Sequence, residues 1–191
     1  MGNEKKELEL YIHVPFCIKK CQYCDFLSAP SSKGERQEYA ESLCRQIRTY
    51  GELAKAYHVV SIFVGGGTPS ILDKEELLGI FDAVRDTFTV DGDAEITIEV
   101  NPGTVTEEKL KAYLKAGINR LSIGLQSAEN EELQVLGRIH TYEEFLSTYG
   151  LAREMGFGNI NVDLMSAIPR QTVEGWERTL KKVLGLRPEH I

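Results

Sequence analysis

Apolar and polar residues alternate along four short segments of the chain, and a fifth short segment, residues 59–64, is apolar and largely β-branched. Each of the five is followed by a longer segment with apolar residues at helical spacing. Alternation is typical of a strand with two different faces, and spacing of three and four residues is typical of an amphipathic helix. The pattern predicts strands over residues 8–14, 59–64, 96–100, 120–125 and 160–164.

Five helices are predicted between and after these strands. Asp73 and Thr141 each stand three residues before a glutamate, which is the pattern of a capping box, so a helix is expected to begin at each. Gly117 is a typical helix stop. The predicted helices cover 34–57, from Asp73 past Val84, from Thr104 or Thr106 to Gly117, from Thr141 to Gly156, and 172–186.

Strands that alternate with helices favour a parallel sheet with right-handed crossovers, which is an α/β fold. The chain has no low-complexity segment and no evident linker, so residues 1–191 are interpreted as one domain. His190 and Ile191 resemble the start of a sixth strand. We therefore expect an incomplete part of a longer protein, ending after about five βα units.

Four of the five predicted strands have one apolar and one polar face. A parallel sheet covered by helices on both sides would be apolar on both faces, so the polar faces are expected to line a lumen. This favours a curved, open half-barrel with its site at the carboxyl ends of the strands; the alternative is a sheet with one solvated face. The polar positions are Tyr11, His13, Thr97, Glu99, Asn101, Ser122, Gly124, Gln126, Asn161, Asp163 and Met165.

Composition narrows the class of protein further. The 191 residues are 42% hydrophobic and 27% charged, which is ordinary for a globular domain. A formal charge of −7 with no basic block argues against nucleic-acid partners. No segment approaches the ~20 apolar residues of a transmembrane helix, and the polar start of the chain does not resemble a signal peptide. A cytoplasmic protein is the expectation.

Three of the four cysteines, Cys17, Cys21 and Cys24, fall within eight residues directly after the first strand. Three thiolates can hold three irons of a four-iron cluster and leave the fourth open to chemistry. A zinc site with His13 as the fourth ligand is the alternative, because structural zinc takes four ligands. Cys44 lies in an amphipathic helical pattern and is interpreted as a packing residue.

Three glycines, 65–67, end the second strand and can bring backbone close to a ligand, although a tight turn is the alternative. Among the lumen residues, Glu99 can accept hydrogen bonds from paired hydroxyls such as a ribose diol. Arg138 can bind a carboxylate, and Gln126 and Asp163 can complete a polar clamp. Solvated surface positions are the alternative for Glu99 and Arg138.

Five motifs in this order resemble one known family. CxxxCxxC after Tyr-Ile-His-Val-Pro-Phe is followed by Gly-Gly-Gly-Thr-Pro, Glu-Val-Asn-Pro, Leu-Ser-Ile-Gly-Leu-Gln-Ser and Val-Asp-Leu-Met-Ser-Ala-Ile-Pro. The set is similar to the radical S-adenosylmethionine (SAM) superfamily. Within it, the chain resembles the group of oxygen-independent coproporphyrinogen III dehydrogenases and HemW heme chaperones, over nearly its whole length.

The resemblance implies a partial (βα)6-type barrel with a [4Fe–4S] cluster on Cys17, Cys21 and Cys24, and SAM on the fourth iron. In this family one electron from the cluster cleaves SAM to methionine and a 5′-deoxyadenosyl radical. The resemblance implies that the methionyl amine of SAM contacts Gly66, Gly67 and Thr68, and that the methionyl carboxylate pairs with Arg138. It implies that Glu99 holds the ribose hydroxyls and that backbone near Tyr23 contacts the adenine. Three further residues are expected to line the same site: Tyr11, Gln126 and Asp163.

Two departures from the dehydrogenases favour the chaperone reading. Cys24 is followed by Asp25-Phe26 rather than by a further cysteine one residue on, and 16 residues precede Cys17 where the dehydrogenases have a longer extension. Arg170 also stands where the group commonly has glycine, which leaves the conformation of that turn open.

The resemblance therefore predicts a HemW-type protein that binds heme and passes it to acceptor proteins, with an unidentified electron donor. One alternative is oxidative decarboxylation of coproporphyrinogen III to protoporphyrinogen IX; another is a metal-stabilised binding module without radical chemistry. Determinants of heme binding are expected partly outside this chain. His58, His140 and His190 are interpreted as packing or solvated residues.

Overall fold

Seven strands and seven α-helices follow one another along residues 5–191, the part of the chain that the computed structural model describes. In chain order they are β1 (Lys6–Val14), β2 (Phe16–Cys17), β3 (Ala29–Pro30), α1 (Lys33–Thr49), α2 (Gly51–Ala54), β4 (Tyr57–Gly66), α3 (Lys74–Thr87), β5 (Val90–Val100), α4 (Glu107–Lys115), β6 (Arg120–Gln126), α5 (Asn130–Val135), α6 (Tyr142–Glu154), β7 (Ile160–Leu164) and α7 (Val173–Gly185). A short 3₁₀ turn, Pro69–Ile71, follows β4.

The central sheet has five parallel strands in the order β1-β4-β5-β6-β7. Because all five strands run parallel, their carboxyl ends lie at the same rim. His190 extends the sheet, since it forms a parallel bridge with Asn161 beside β7. The predicted parallel α/β fold is confirmed, and so is the start of further strand pairing at His190.

The apolar faces of the strands are buried on the helix-covered side of the sheet. Val14, Ile98, Leu121, Ile123 and Val162 have essentially no exposed surface, and they belong to the main core cluster. These residues are the ones that alternate with the polar positions, so the sequence pattern places the core correctly. The other face of the sheet is left to the polar residues.

The first predicted helix is wrong in its length. Residues 34–57 are not continuous, because α1 ends at Thr49 and a separate four-residue helix, α2, follows. Gly51 at the break has low helix propensity, and the Thr49 hydroxyl donates to the Gln46 carbonyl. Tyr57 belongs to β4 rather than to a helix.

Other helix ends agree with the predicted signals. Thr106, rather than Thr104, caps α4: its hydroxyl accepts a hydrogen bond from the Lys109 backbone N–H at 3.3 Å. Gly117 follows the end of α4 with a φ of 77°, the left-handed conformation that favours glycine. The Thr141 capping box at the start of α6 is also formed.

Candidate functional site

A polar cavity of about 260 Å³ lies at the rim where the parallel strands end. Eleven of the twelve predicted site residues line it, contributed by the cysteine loop after β1, by the ends of β4, β5, β6 and β7, and by the loop between α5 and α6. They are Cys17, Cys21, Tyr23, Cys24, Gly66, Gly67, Thr68, Glu99, Gln126, Arg138 and Asp163.

The cysteine loop is anchored at both ends and in its middle. The short strands β2 and β3 pair at its ends, and the Ala29 N–H donates to the Pro15 carbonyl at 3.0 Å. In the middle, the Gln22 N–H donates to the Leu136 carbonyl beyond α5 at 3.2 Å. These contacts hold the three thiols over the strand ends.

The glycines after β4 allow this close approach. A Cβ added at Gly67 would lie 2.6 Å from the Phe16 carbonyl oxygen and 3.0 Å from the Cys17 sulfur, so a larger residue would push the cysteine loop away. Gly66 has a φ of 118°, and its N–H donates to Glu99 Oε2 at 3.0 Å. The glycines therefore form a cradle rather than a simple turn.

Two hydrogen-bond donors point at the cysteine sulfurs. The buried Thr68 hydroxyl lies 3.4 Å from Cys17 Sγ, and Arg138 Nη1 lies 3.8 Å from Cys21 Sγ. Arg138 also retains a buried Nε without a hydrogen-bond partner among the described residues. Such an atom inside a cavity suits an anionic ligand group, because a buried donor without a partner is costly.

Glu99 projects from the end of β5 into the cavity. Burial raises the pKa of its carboxyl to about 7, and the nearby Asp163 carboxylate adds to the rise, while the Gly66 N–H opposes it. Near neutral pH the side chain is therefore poised between neutral and charged forms. It can accept hydrogen bonds from a hydroxyl pair, as the sequence predicts.

A hydrogen-bonded group on β6 and β7 fixes Asp163. The Ser122 hydroxyl donates to the carboxylate at 3.1 Å, and the Asn161 amide donates to it at 2.6 Å. A register shift in the pairing of β6 with β7 precedes Gln126, which has a φ of 73°. Bulges of this kind re-aim side chains at the ends of strands.

Tyr11 is the one predicted site residue outside the cavity lining. It lies on the lumen face, where it is exposed, stacks against Phe63, and shares a 3.1 Å hydrogen bond with His13. Tyr23 lies in the cysteine loop within the lining.

Packing or hydrogen bonding accounts for three of the histidines. His13 Nε2 pairs with the Leu27 carbonyl, and His58 pairs with Asp91 at 2.7 Å. His140 is buried against the Leu125 carbonyl, and burial lowers its pKa to about 4. Among the described residues, no three His, Cys, Asp or Glu side chains are close enough to hold a single metal ion, whereas the three thiols share one larger cavity.

Some of the residues that line the cavity were not predicted as site residues from the sequence. Lys19 and Phe26 line the cavity from the cysteine loop, where no strand or helix periodicity marks them. Asn101, Ser122 and Met165 are marked by strand alternation alone, without an assigned role. Cys44 lies apart from the site, on α1; it packs against the core, and burial raises the pKa of its thiol.

Comparisons with known proteins agree with this geometry. The radical SAM superfamily model matches residues 11–183. The heme chaperone HemW of Escherichia coli is 40% identical over 186 residues, which are 96% of this chain and 49% of that protein. The oxygen-independent coproporphyrinogen-III oxidase-like protein HemZ of Bacillus subtilis is 37% identical, over 98% of this chain and 38% of its own length.

A solved structure supports the fold. Coproporphyrinogen III oxidase (HemN) from Escherichia coli, a radical SAM enzyme, superposes with a TM-score of 0.90 at 33% identity, covering 98% of this chain and 44% of that one. The chain spans about half the length of the curated relatives that it matches.

None of the helices between residues 5 and 191 has the length and apolar character of a membrane span. Since the family model extends over most of the sequence, the chain belongs to the radical SAM superfamily.

Proposed function

We propose that this chain is the cluster- and SAM-binding core of a HemW-type heme chaperone. One observation carries the proposal: three thiols, the glycine cradle, Glu99 and Arg138 line a single cavity at the strand ends. The superfamily implies a [4Fe–4S] cluster and SAM. When bound, these groups supply one-electron reduction of a sulfonium and radical chemistry.

The residues of the chain have separable tasks in this proposal. Cys17, Cys21 and Cys24 hold iron, and the Gly66–Thr68 backbone approaches the methionyl amine. In this proposal the methionyl carboxylate is bound by the Nε of Arg138, which has no hydrogen-bond partner among the described residues. Glu99 holds the ribose hydroxyls, and its charged form also complements the positive sulfonium.

The fit of the cavity to these groups rests on its own chemistry. Thiolates are the ligands that iron–sulfur clusters take in proteins, and the surrounding donors offer hydrogen bonds to sulfur. A cluster occupies more space than one ion, so thiols that share a cavity suit it better than they suit zinc.

Heme delivery is the part of the proposal that the cavity residues alone do not support. It is supported by similarity to the HemW proteins and by Asp25-Phe26 after Cys24. The second candidate is oxidation of coproporphyrinogen III, which is supported by the high structural similarity to HemN. Both candidates share the cluster and SAM, and they differ in the tetrapyrrole and its fate.

The test begins with anaerobic reconstitution of the protein with iron and sulfide. We expect about four irons per chain, and a change in the electron paramagnetic resonance spectrum of the reduced cluster when SAM is added. Cys24→Ala should abolish the four-iron signal. Cys44→Ala is the matched control and should retain it, because Cys44 packs on α1 instead of lining the cavity.

Heme retention and substrate turnover then separate the two candidates. Both are measured on the full-length protein, because determinants of heme binding are expected partly outside this chain. A chaperone retains heme through gel filtration and transfers it to an apo-acceptor, without converting coproporphyrinogen. Turnover of coproporphyrinogen would favour the second candidate. Zinc without labile sulfide in the purified protein would contradict both.

A further inference from the structure

We propose that Asn101 is a positioning residue that holds the two hydrogen-bond donors aimed at Cys17 and Cys21, and that it thereby raises the reduction potential of the cluster. The inference rests on the proposed function, because it concerns the cluster that these thiols would hold.

The side-chain amide of Asn101 lies between the two donors. Its Nδ2 donates to Thr68 Oγ1 at 2.9 Å, and its Oδ1 accepts from Arg138 Nη2, also at 2.9 Å. Thr68 continues to Cys17 Sγ, and Arg138 continues to Cys21 Sγ. One amide thus connects the surroundings of two sulfurs that come from different parts of the cysteine loop.

Proton counting fixes the direction of these bonds. Arg138 can only donate, so Asn101 must present its oxygen to Arg138 and its nitrogen to Thr68. A threonine hydroxyl has one proton and can also accept. Because Thr68 accepts from Asn101, its single proton remains free for the Cys17 sulfur.

The backbone of Asn101 is itself held in place. Its N–H donates to the hydroxyl of the fully buried Ser70 at 3.1 Å, and its carbonyl accepts from the Thr104 hydroxyl at 2.6 Å. These bonds tie the end of β5 to the turn after β4. The amide is therefore a fixed support for Thr68 and Arg138.

Donors aimed at ligand sulfurs stabilise the more negative, reduced state of an iron–sulfur cluster, and hydrogen bonding to the sulfurs is one determinant of its potential. Without the amide, Thr68 can turn its proton elsewhere, and Arg138 loses one of its two oxygen partners, the other being the Gly124 carbonyl. Asn101→Ala should therefore make the cluster harder to reduce.

The experiment is a double-mutant cycle on the reconstituted protein without SAM, using Asn101→Ala, Thr68→Val and the double variant. At one fixed ambient potential, we expect Asn101→Ala to lower the ratio of reduced to oxidised cluster several-fold; for this one-electron step a tenfold loss corresponds to about 59 mV. The loss should be smaller when Thr68→Val is already present, because part of the effect of Asn101 passes through that hydroxyl.

Asn161→Ala is the matched control, since this amide also lies on the lumen side but bonds to Ser122 and Asp163 instead of to the sulfur donors. It should leave the ratio unchanged. If Asn101→Ala fails to fold by circular dichroism, the near-isosteric and uncharged Asn101→Leu replaces it in the same cycle. That variant removes both the acceptor for Arg138 and the donor to Thr68 without adding a charge beside the cluster.

The possible results are distinct. An unchanged ratio at full iron content would overturn the inference, and so would equal losses with and without Thr68→Val. Equal losses in Asn161→Ala and Asn101→Ala would also overturn it, because the effect would then be general to the lumen. Failure of the unsubstituted protein to bind a cluster would contradict the proposed function itself.

Discussion

Glu99 shows how a side chain with a proposed binding role can lower the stability of the fold. Its pKa rises from 4.5 to about 7 on folding, so the folded chain binds more protons than the unfolded chain between these values. Stability from this group is therefore greatest at low pH and falls as pH rises through 7. The carboxyl that we propose to bind ligand hydroxyls is thus held in a cavity that disfavours its charge.

Glu99→Gln should raise the melting temperature at pH 8 and change it little at pH 5. Removal of the buried charge contributes roughly 1–3 kcal/mol to the free energy of unfolding at the higher pH.

The same substitution should weaken SAM binding, measured by equilibrium dialysis. In the unsubstituted protein, the affinity for SAM should increase from pH 6 to pH 8. Exposed Glu131→Gln is the control; an equal stabilisation there would refute the explanation.

Arg170 tests the effect of a single backbone conformation. Its φ is 71°, which lies in the left-handed region, and the residue is exposed. The conformation of this turn was not predicted from the sequence. The positive φ explains why glycine suits the position. Arg170→Gly should stabilise the protein by roughly 0.5–1 kcal/mol, because relief of strain exceeds the entropic cost of glycine.

Arg170→Ala separates the backbone from the side chain in that experiment. Alanine removes the guanidinium but keeps the strained conformation, so it should not reproduce the gain. Denaturant midpoints measure both variants. A similar gain in both would assign the effect to the side chain.

At the scale of the elements, strand alternation predicted both faces of the sheet and the cavity residues on β5, β6 and β7, whereas the cysteines and glycines of the lining were found from their motifs. The helix break after Thr49 and the loop residues of the cavity depend on contacts that strand alternation does not indicate. The break after Thr49 arises from a local cap, and the loop residues Lys19 and Phe26 reach the cavity because Leu136 holds Gln22. Helix α5, which precedes Leu136, is too short to show a clear apolar period.

The approach of the cysteine loop to the end of β4 gives an element-scale prediction. Gly67→Ala should lower iron loading severely, because its Cβ would collide with backbone of β2 and crowd Cys17. Iron and labile sulfide per chain provide the measurement. Gly79→Ala is the control, since a Cβ there meets open space within α3, and it should load normally. Equal loading in both variants would contradict the cradle.

At the scale of the whole molecule, the core and the cavity lie on opposite faces of one sheet. Apart from Val100, the residues described as lining the cavity do not belong to the buried apolar core, so the fold is expected to persist when the cluster is lost. Metal does not have to organise this domain as it organises a zinc finger, where binding and folding are one event.

Removal of iron by a chelator should therefore leave far-ultraviolet circular dichroism nearly unchanged. Hydrogen exchange should increase chiefly over residues 17–28, which are connected by few backbone bonds, while β4, β5 and β6 remain protected. Mass spectrometry of deuterium uptake measures both regions in one experiment. Increased exchange throughout the sheet would show that the cluster supports the entire fold.

The shared direction of the strands has a practical consequence. Gly92 lies near the start of β5, eight residues before Val100 at the cavity, and a side chain there would meet open space. The pairing of β4 with β5 is irregular between Val90 and Glu95, so the separation is less than the roughly 26 Å that eight fully extended residues would span. A fluorescent dye attached to a cysteine at this position (Gly92→Cys) would therefore report unfolding from the end of β5 that lies away from the cavity.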